Sequence, residues 1–594
     1  MNIGVMMVIS LAFLWIGYRV YSRLVARWVG VNDALPTPAA RINDGNDYVP
    51  TKPWVLFGHH FASMDAAGPI VGPTLALLYG YLPGWLWIML GVILIGAVHD
   101  FTSLMVTTRE GGHSVAEVAR RTLGPLGFIF YVLFAILLCI LVGAVFLRLA
   151  ATALTTTYPL SELGLSAGSH LLRIERATSG QYSGQLVGHL GGIASTSVVV
   201  MTILAPLMGW LLHSRRLTPL AMSGFALGVV ALSVAIGFRW PIAMDPNLWI
   251  GILLVYVFFA AYLPVWIILQ PRDFVNVHLL YIGMGAMVLG VIACGLHGVT
   301  LSAPTMNVAE ASKPENLGLM WPFLFVTIAC GACSGAHGLV SGGTTCKQLA
   351  REGDARPIGY GAMLMEAVLA ILVLLMVGGA LGFEKYKALA WPTVGQANLP
   401  LAFAAGVGAT LQRGFSIPSV FGTIFGILLL EGFLLTTVDT LMRLSRYLFE
   451  EFWSAVGLQD SWMARQRVVN ALGPVLITAY LAFTNQARHV WPVFGSANQM
   501  MAALTLMAVT AWLARNKRPI WFVAWPAAFM TLTTMGSMAL LLLRYFQQGK
   551  WALFVTDILL LGLAAGVLVL VMTFYQHLKD ELRRPPRPAT VAGG

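Results

Sequence analysis

Charged residues are what this 594-residue chain has least of: Asp, Glu, Lys and Arg make up only 10% of it, against roughly 25% in soluble globular proteins. That scarcity excludes a water-soluble globule. Hydrophobic residues make up 58% and the mean hydropathy is +0.77. The apolar runs are long and continuous, without the alternation over about ten residues that barrel strands show, so a transmembrane β-barrel is excluded as well. Cysteine is also scarce. Cys139, Cys294, Cys330, Cys333 and Cys346 all lie in or beside apolar spans, which argues for reduced packing residues and against a disulfide framework. The net charge of +11 reports membrane topology before it reports a polyanion, and no nucleic-acid partner is expected.

What is present is a series of spans. Windows of about twenty residues predict fifteen membrane helices, near 3–21, 54–82, 84–107, 125–153, 193–213, 219–238, 247–270, 277–297, 319–345, 357–382, 418–448, 468–485, 490–513, 520–543 and 551–577. The first span lacks a basic leader and a small-residue cleavage site, so it reads as a helix. Every odd-numbered span ends on a basic loop, among them Arg23 and Arg27, Arg109 and Arg120, Arg272, Lys347 and Arg351, and Arg515 and Lys517. Basic loops face the cytoplasm, so the N-terminus is expected outside and the C-terminus inside a bacterial inner membrane. The connection 164–192 reads as a solvated external loop.

Two spans carry polar residues at membrane depth. The first begins at Trp54, holds His59, His60 and Asp65, and then meets Ala66, Ala67, Gly68 and Pro69. Small residues before a proline free backbone groups, and an unwound backbone is tolerated in a bilayer only when it is buried in protein or lines a cavity. A broken helix holding an acid is a candidate for substrate and proton binding; a proline kink with two packed histidines is the plainer alternative. Asp65 is the leading proton carrier on this reading, with His59, His60 or His99 as its relay. The second span, 319–345, crowds Ser334, His337, Ser341, Thr344 and Thr345 among glycines. Hydroxyls beside freed carbonyls suit a hard monovalent cation, whereas close helix packing alone explains the glycines. Cys330-x-x-Cys333 reads as packing rather than a metal site, and no metal or cofactor is expected beyond a coupling ion, the proton first and sodium second.

Further intramembrane acids are Asp100, Glu366, Glu431, Asp439 and Asp557. Such charges are costly and tend to face a cavity, a partner or a proton path. Asp100 and Asp439, near cytoplasmic ends, read as salt-bridge or helix-end residues, and Asp557 as peripheral. Tyr262 and Trp266 flank Pro264 and, with Asn498, are expected as secondary substrate contacts; Trp491 reads as an interfacial aromatic. Spans two and seven both contain proline breaks and run in opposite directions. That pattern implies a five-plus-five inverted repeat in an all-α membrane protein: 1–53 as an N-terminal helix and loop, 54–246 and 247–448 as repeats, 449–577 as additional helices and 578–594 as a tail.

The runs NDGNDYVPTKPWVLFGHHFASMDAAGPIVGP at 43–73, GAVHDF at 96–101, FLFVTIACGACSGAHGLVSGGTTCKQLA at 323–350, IGYGAMLMEA at 358–367 and WPVFGSANQMMA at 491–502 closely resemble the carbon starvation protein A family of bacterial inner-membrane proteins. The resemblance implies a LeuT-like five-plus-five core and uptake of pyruvate or peptides, with proton coupling. Two positions depart from the family pattern: Asp65 stands where a small residue is usual, and His99 where glutamine is common. The expectation is a proton-coupled importer of a small carboxylate or short peptide, with the bilayer and the substrate as partners and homo-oligomerisation left open. The rivals are an intramembrane metal enzyme built on His59, His60, His99 and Cys330 or Cys333, and a nutrient sensor without flux.

Overall fold

Proline and glycine divide the apolar spans into the helices observed in the computed structural model, which describes residues 1–583 except 46, 47, 65, 170, 179–181, 215–217, 265, 266, 314 and 486. Asp65 and Trp266 therefore lie outside the described residues. Among the described residues, twelve helices are long and apolar enough to cross a membrane. The bent pair Pro53–Met64 and Gly68–Tyr79, the 17-residue helix Pro246–Tyr262 and the interrupted pair Met320–Thr327 and Ala336–Gly343 complete the fifteen crossings expected from hydropathy.

The first broken helix ends at Met64 and restarts at Gly68, its halves inclined by 50°. Pro69 in the first turn of the restarted half lacks only an N–H that would have had no helical partner anyway. The second broken helix is interrupted at 328–335, IACGACSG, where small residues hold the chain only weakly in a helix. The two run antiparallel: Pro53–Met64 packs on Ala336–Gly343, and Gly68–Ala76 on Met320–Thr327.

This pairing corrects the expected one. Span 247–270 is not a broken helix. Its helix stops at Tyr262, Leu263 before Pro264 is extended (φ −71°, ψ 158°), and a new helix begins at Leu269. A residue preceding proline is pushed out of the α region, whereas Pro271 fits the first turn of the helix it opens. Gln270 to Asp273 thus start a helix rather than close one.

Each broken helix is followed by a series of similar lengths. After the first come a helix with a π-type turn (Val92–Gly96), one of 40 residues (Val115–Leu154), one of 17 (Pro246–Tyr262) and one of 28 (Leu269–Leu296). After the second come a helix with π-type turns (Arg356–Gly361 and Met376–Leu381), one of 37 residues (Ser419–Ala455), one of 18 (Arg467–Thr484) and one of 29 (Ala487–Arg515). With each broken helix counted as the first of its series, the third and fourth helices of both series pack on one another in every combination. The core is a five-plus-five inverted arrangement, with the hairpin Gly191–Ser214 and Pro219–Arg239 standing between the third and fourth helices of the first series.

Two connections are more ordered than expected. The segment after Leu154, expected as a solvated loop, forms a three-stranded antiparallel sheet, Thr157–Pro159, Leu186–His189 and Ile174–Arg176 in spatial order. The connection 383–417 contains the helices Phe383–Ala390 and Leu399–Phe415, and the second of these packs on Gly68–Ala76, Leu269–Leu296 and Ser419–Ala455.

Candidate functional site

The two breaks touch, and glycine makes that possible. A Cβ on Gly68 would lie 2.3 Å from Cys330 Sγ, one on Gly72 2.6 Å from the Thr327 carbonyl, and one on Gly96 2.1 Å from the Ala332 carbonyl. A broken helix also strands backbone groups that must find partners. The indoles of Trp87 and Trp491 donate to the Ile328 and Thr327 carbonyls, each at 3.1 Å, and the Gln499 amide donates to Phe325 at 2.7 Å. On the other side of the gap Asn498 accepts from the Ala336 N–H through Oδ1 at 3.0 Å, while its own backbone carbonyl accepts from Gly335 at 3.1 Å. Its Nδ2 reaches Cys330 Sγ at 3.2 Å and Ser334 Oγ at 3.1 Å. Asn498 and Ser334 thus brace the break. Trp491 is buried, 2% exposed, and caps the same gap instead of sitting at the membrane interface.

On the inner side of the junction lies a fully buried polar cluster. Asp100 is at its centre, with Oδ1 2.7 Å from His99 Nδ1 and Oδ2 2.8 Å from His337 Nδ1. The other nitrogen of His337, Nε2, is 3.2 Å from Glu366 Oε2. His60 Nδ1 meets Thr345 Oγ1 at 2.8 Å, within electrostatic reach of Asp100 and His337. Four elements converge here: the inner halves of both broken helices and the helices Ala97–Arg109 and Ala362–Leu375, each preceded by a π-type turn of the kind that often marks functional positions. Three buried polar atoms of the cluster, His60 Nε2, His99 Nε2 and Ser341 Oγ, have no hydrogen-bond partner among the described residues. His99 Nε2 faces Gly338, whose missing Cβ would stand 3.4 Å away, and Thr505 borders the same spot.

The expected residues sort accordingly. His60, His99, His337, Ser341 and Thr345 come together, joined by Asp100 and Glu366; Ala66, Gly68 and Pro69 are buried at the junction above them. His59, one position from His60 and so about 100° round the helix, is exposed, and Tyr262 is 43% exposed at the end of its helix. Thr344 is exposed and bonds back to the Val340 carbonyl at 3.1 Å. The hydroxyls therefore do not converge on an oxygen cage: Thr345 is engaged by His60, and Thr344 points elsewhere. Asp100, read from sequence as a salt-bridge or helix-end residue, lies mid-cluster and is its hub, paired with His99 and His337. Nothing in the sequence linked it to His337 and Glu366, more than two hundred residues away; the one available signal was the unusual HD pair inside an apolar run.

Asp439 does form the expected salt bridge, 2.8 Å from Arg272 Nη1, with the Tyr256 hydroxyl donating to it at 2.5 Å. Glu431 and Asp557 are buried, and their carboxyl oxygens have no hydrogen-bond partner among the described residues.

The sequence motifs that build this junction belong to a wider group of proteins. The carbon starvation protein CstA family model matches residues 2–400 and 389–537. The chain belongs to the carbon starvation protein CstA family. Among family members, the peptide transporter CstA of Bacillus subtilis is 31% identical over 574 residues, covering 90% of this chain and 89% of that protein. The pyruvate/proton symporter BtsT of Escherichia coli is 31% identical over 620 residues, covering 90% of this chain and 81% of its own length. Among solved structures, a manganese transporter of Eremococcus coleocola matches with a TM-score of 0.43 at 14% identity, covering 91% of this chain and 99% of that one.

Proposed function

We propose that the protein is a secondary active transporter that imports a small carboxylate such as pyruvate, or a short peptide, by proton symport across a bacterial inner membrane. The observation that carries this reading is the contact of two antiparallel broken helices directly above a buried Asp–His–Glu cluster. Two half-helices, Gly68–Ala76 and Ala336–Gly343, begin at the junction, so two positive dipole ends face it. A carboxylate held there needs no arginine. The acids and histidines below supply groups that take up and release a proton, and relatives named as a peptide transporter and a pyruvate/proton symporter support both halves of the reading.

In this reading the inverted repeats are 53–296, with the 191–239 hairpin inserted, and 320–515. Helices 521–547 and 551–583 brace them, the N-terminus lies outside and the C-terminus in the cytoplasm. Rocking of one unit against the other alternates access to the junction. No covalent chemistry is assigned, and sodium is the alternative coupling ion. The test is uptake of labelled pyruvate and labelled dialanine into proteoliposomes under an inward proton or an inward sodium gradient. Accumulation driven by the proton gradient is expected. Flux that follows sodium alone overturns the coupling assignment, and no flux of either solute under any gradient overturns the transporter reading.

A further inference from the structure

The proton positions in the buried cluster follow from the order of base strengths. Imidazole is a stronger base than carboxylate, so the protons in the two contacts to Asp100 sit on His99 Nδ1 and His337 Nδ1, and Asp100 accepts both as an ionised carboxylate. A group held by two N–H donors in a closed site is the least able of the cluster to take a further proton. His337 has then used Nδ1, and only Nε2 remains to meet Glu366 at 3.2 Å. Without a proton between them, that contact sets a nitrogen lone pair against a carboxylate. A proton on either atom turns that repulsion into attraction, and at 3.2 Å the two atoms are within ion-pair distance.

We infer that the coupling proton is the one shared between His337 Nε2 and Glu366, with Asp100 and His99 as fixed positioning groups; the inference rests on the transporter reading above. The proton is also a mechanical tie. His337 belongs to the inner half of the second broken helix, and Glu366 to the helix Ala362–Leu375. While the proton is shared, the two elements are joined; when it leaves to cytoplasmic water, the Glu366 carboxylate faces the bare Nε2 lone pair of a neutral His337, the attraction is lost, and the inner half-helix is released. The remaining titratable groups facing the pair are His60 from the first broken helix, His99 and Asp100 from Ala97–Arg109, and Cys333 from the second break. None of them bridges two moving elements through two carboxylates as His337 does.

Glu366→Gln keeps the shape and removes the exchangeable proton. In proteoliposomes its accumulation of pyruvate or dialanine under an inward proton gradient is expected to fall to the level seen with no gradient, whereas Glu366→Asp, which keeps a titratable carboxyl, is expected to retain part of it. Asp100→Asn is expected to lose it as well, because it misplaces His337. Proton-driven accumulation by Glu366→Gln at the wild-type level overturns the inference. Infrared difference spectra between alkaline and acid pH supply a readout independent of transport: an imidazolium or protonated-carboxyl band that appears on acidification in wild type, is lost in Glu366→Gln and is shifted in Glu366→Asp supports it, and spectra of both variants identical to wild type, or no such band in wild type, overturn it. If wild type itself carries neither solute, the transporter reading fails, and the infrared result still decides where the proton sits.

Discussion

One missing methyl group decides whether the two broken helices can meet. Gly68 lies so close to Cys330 that a Cβ there would fall 2.3 Å from the sulfur and 2.5 Å from the Cys330 Cβ. Gly68→Ala is therefore expected to lower stability by about 1–3 kcal/mol, the usual cost of overpacking, measured as thermal unfolding in detergent. Gly68→Ala combined with Cys330→Gly clears both atoms and should recover most of that loss, as coupled neighbours do; equal damage in the single and double variants would place the strain elsewhere. A second residue-scale expectation concerns Asp439. Removing it by Asp439→Asn leaves the guanidinium of Arg272, 6% exposed, without its counter-charge, and breaking a buried pair from one side typically costs about 3–5 kcal/mol. At this scale the sequence was informative about which residues are unusual and silent about which meet. His60, His99, His337 and Glu366 stood out as polar groups in apolar runs, but whether His59 or His60 faced inward depended on a helix phase that only packing fixes.

The broken helices show what a single element needs in order to end inside a membrane. The carbonyls of Phe325, Thr327 and Ile328 and the N–H groups of Gly335 and Ala336 are taken by Trp87 or by the helix Ala487–Arg515, while the Ala329 carbonyl accepts from the Ala332 and Cys333 N–H groups within the break. Asn498→Leu removes the acceptor for the Ala336 N–H and should cost about 1–3 kcal/mol, as an unsatisfied buried donor does, with faster hydrogen exchange confined to the start of 336–343. Uniform loosening of the whole chain would argue against a local capping role. The first break was legible because Gly68-Pro69 disrupts a helix by covalent chemistry alone. The second was half-legible: its small residues were noticed, but small residues serve close packing as readily as unwinding. Pro264, in turn, marks a boundary between two helices that hydropathy merged into one break. Short strands and the helix Leu399–Phe415 escaped notice because neither has the long apolar window that identifies a span.

At the scale of the whole molecule, the inner face is closed by a latch that joins parts distant in sequence. Arg109 forks onto Glu352 through Nε and Nη2, both at 2.9 Å, and also donates to the carbonyls of Val29 at 3.3 Å and Gly30 at 2.6 Å. The Asn32 N–H reaches the same Glu352 carboxylate at 2.8 Å. One ion pair thereby ties the segment after the first helix, the end of Ala97–Arg109 and the turn that follows the second broken helix, all on the face that the proposed topology turns toward the cytoplasm. Bidentate arginine–carboxylate pairs hold geometry as well as energy, so this contact suits a gate that must open and reclose. Because the five native cysteines are buried, a single Ser341→Cys substitution supplies a reporter within the cluster behind the latch. Labelling of that cysteine by a membrane-impermeant thiol reagent from the cytoplasmic side is expected to be slow in an otherwise native chain and faster once Glu352→Gln is added, with substrate slowing it again. Identical labelling rates with and without Glu352→Gln would mean that the inner face is held shut by packing of the half-helices rather than by this ion pair, and that Arg109 serves only to anchor the segment around Gly30.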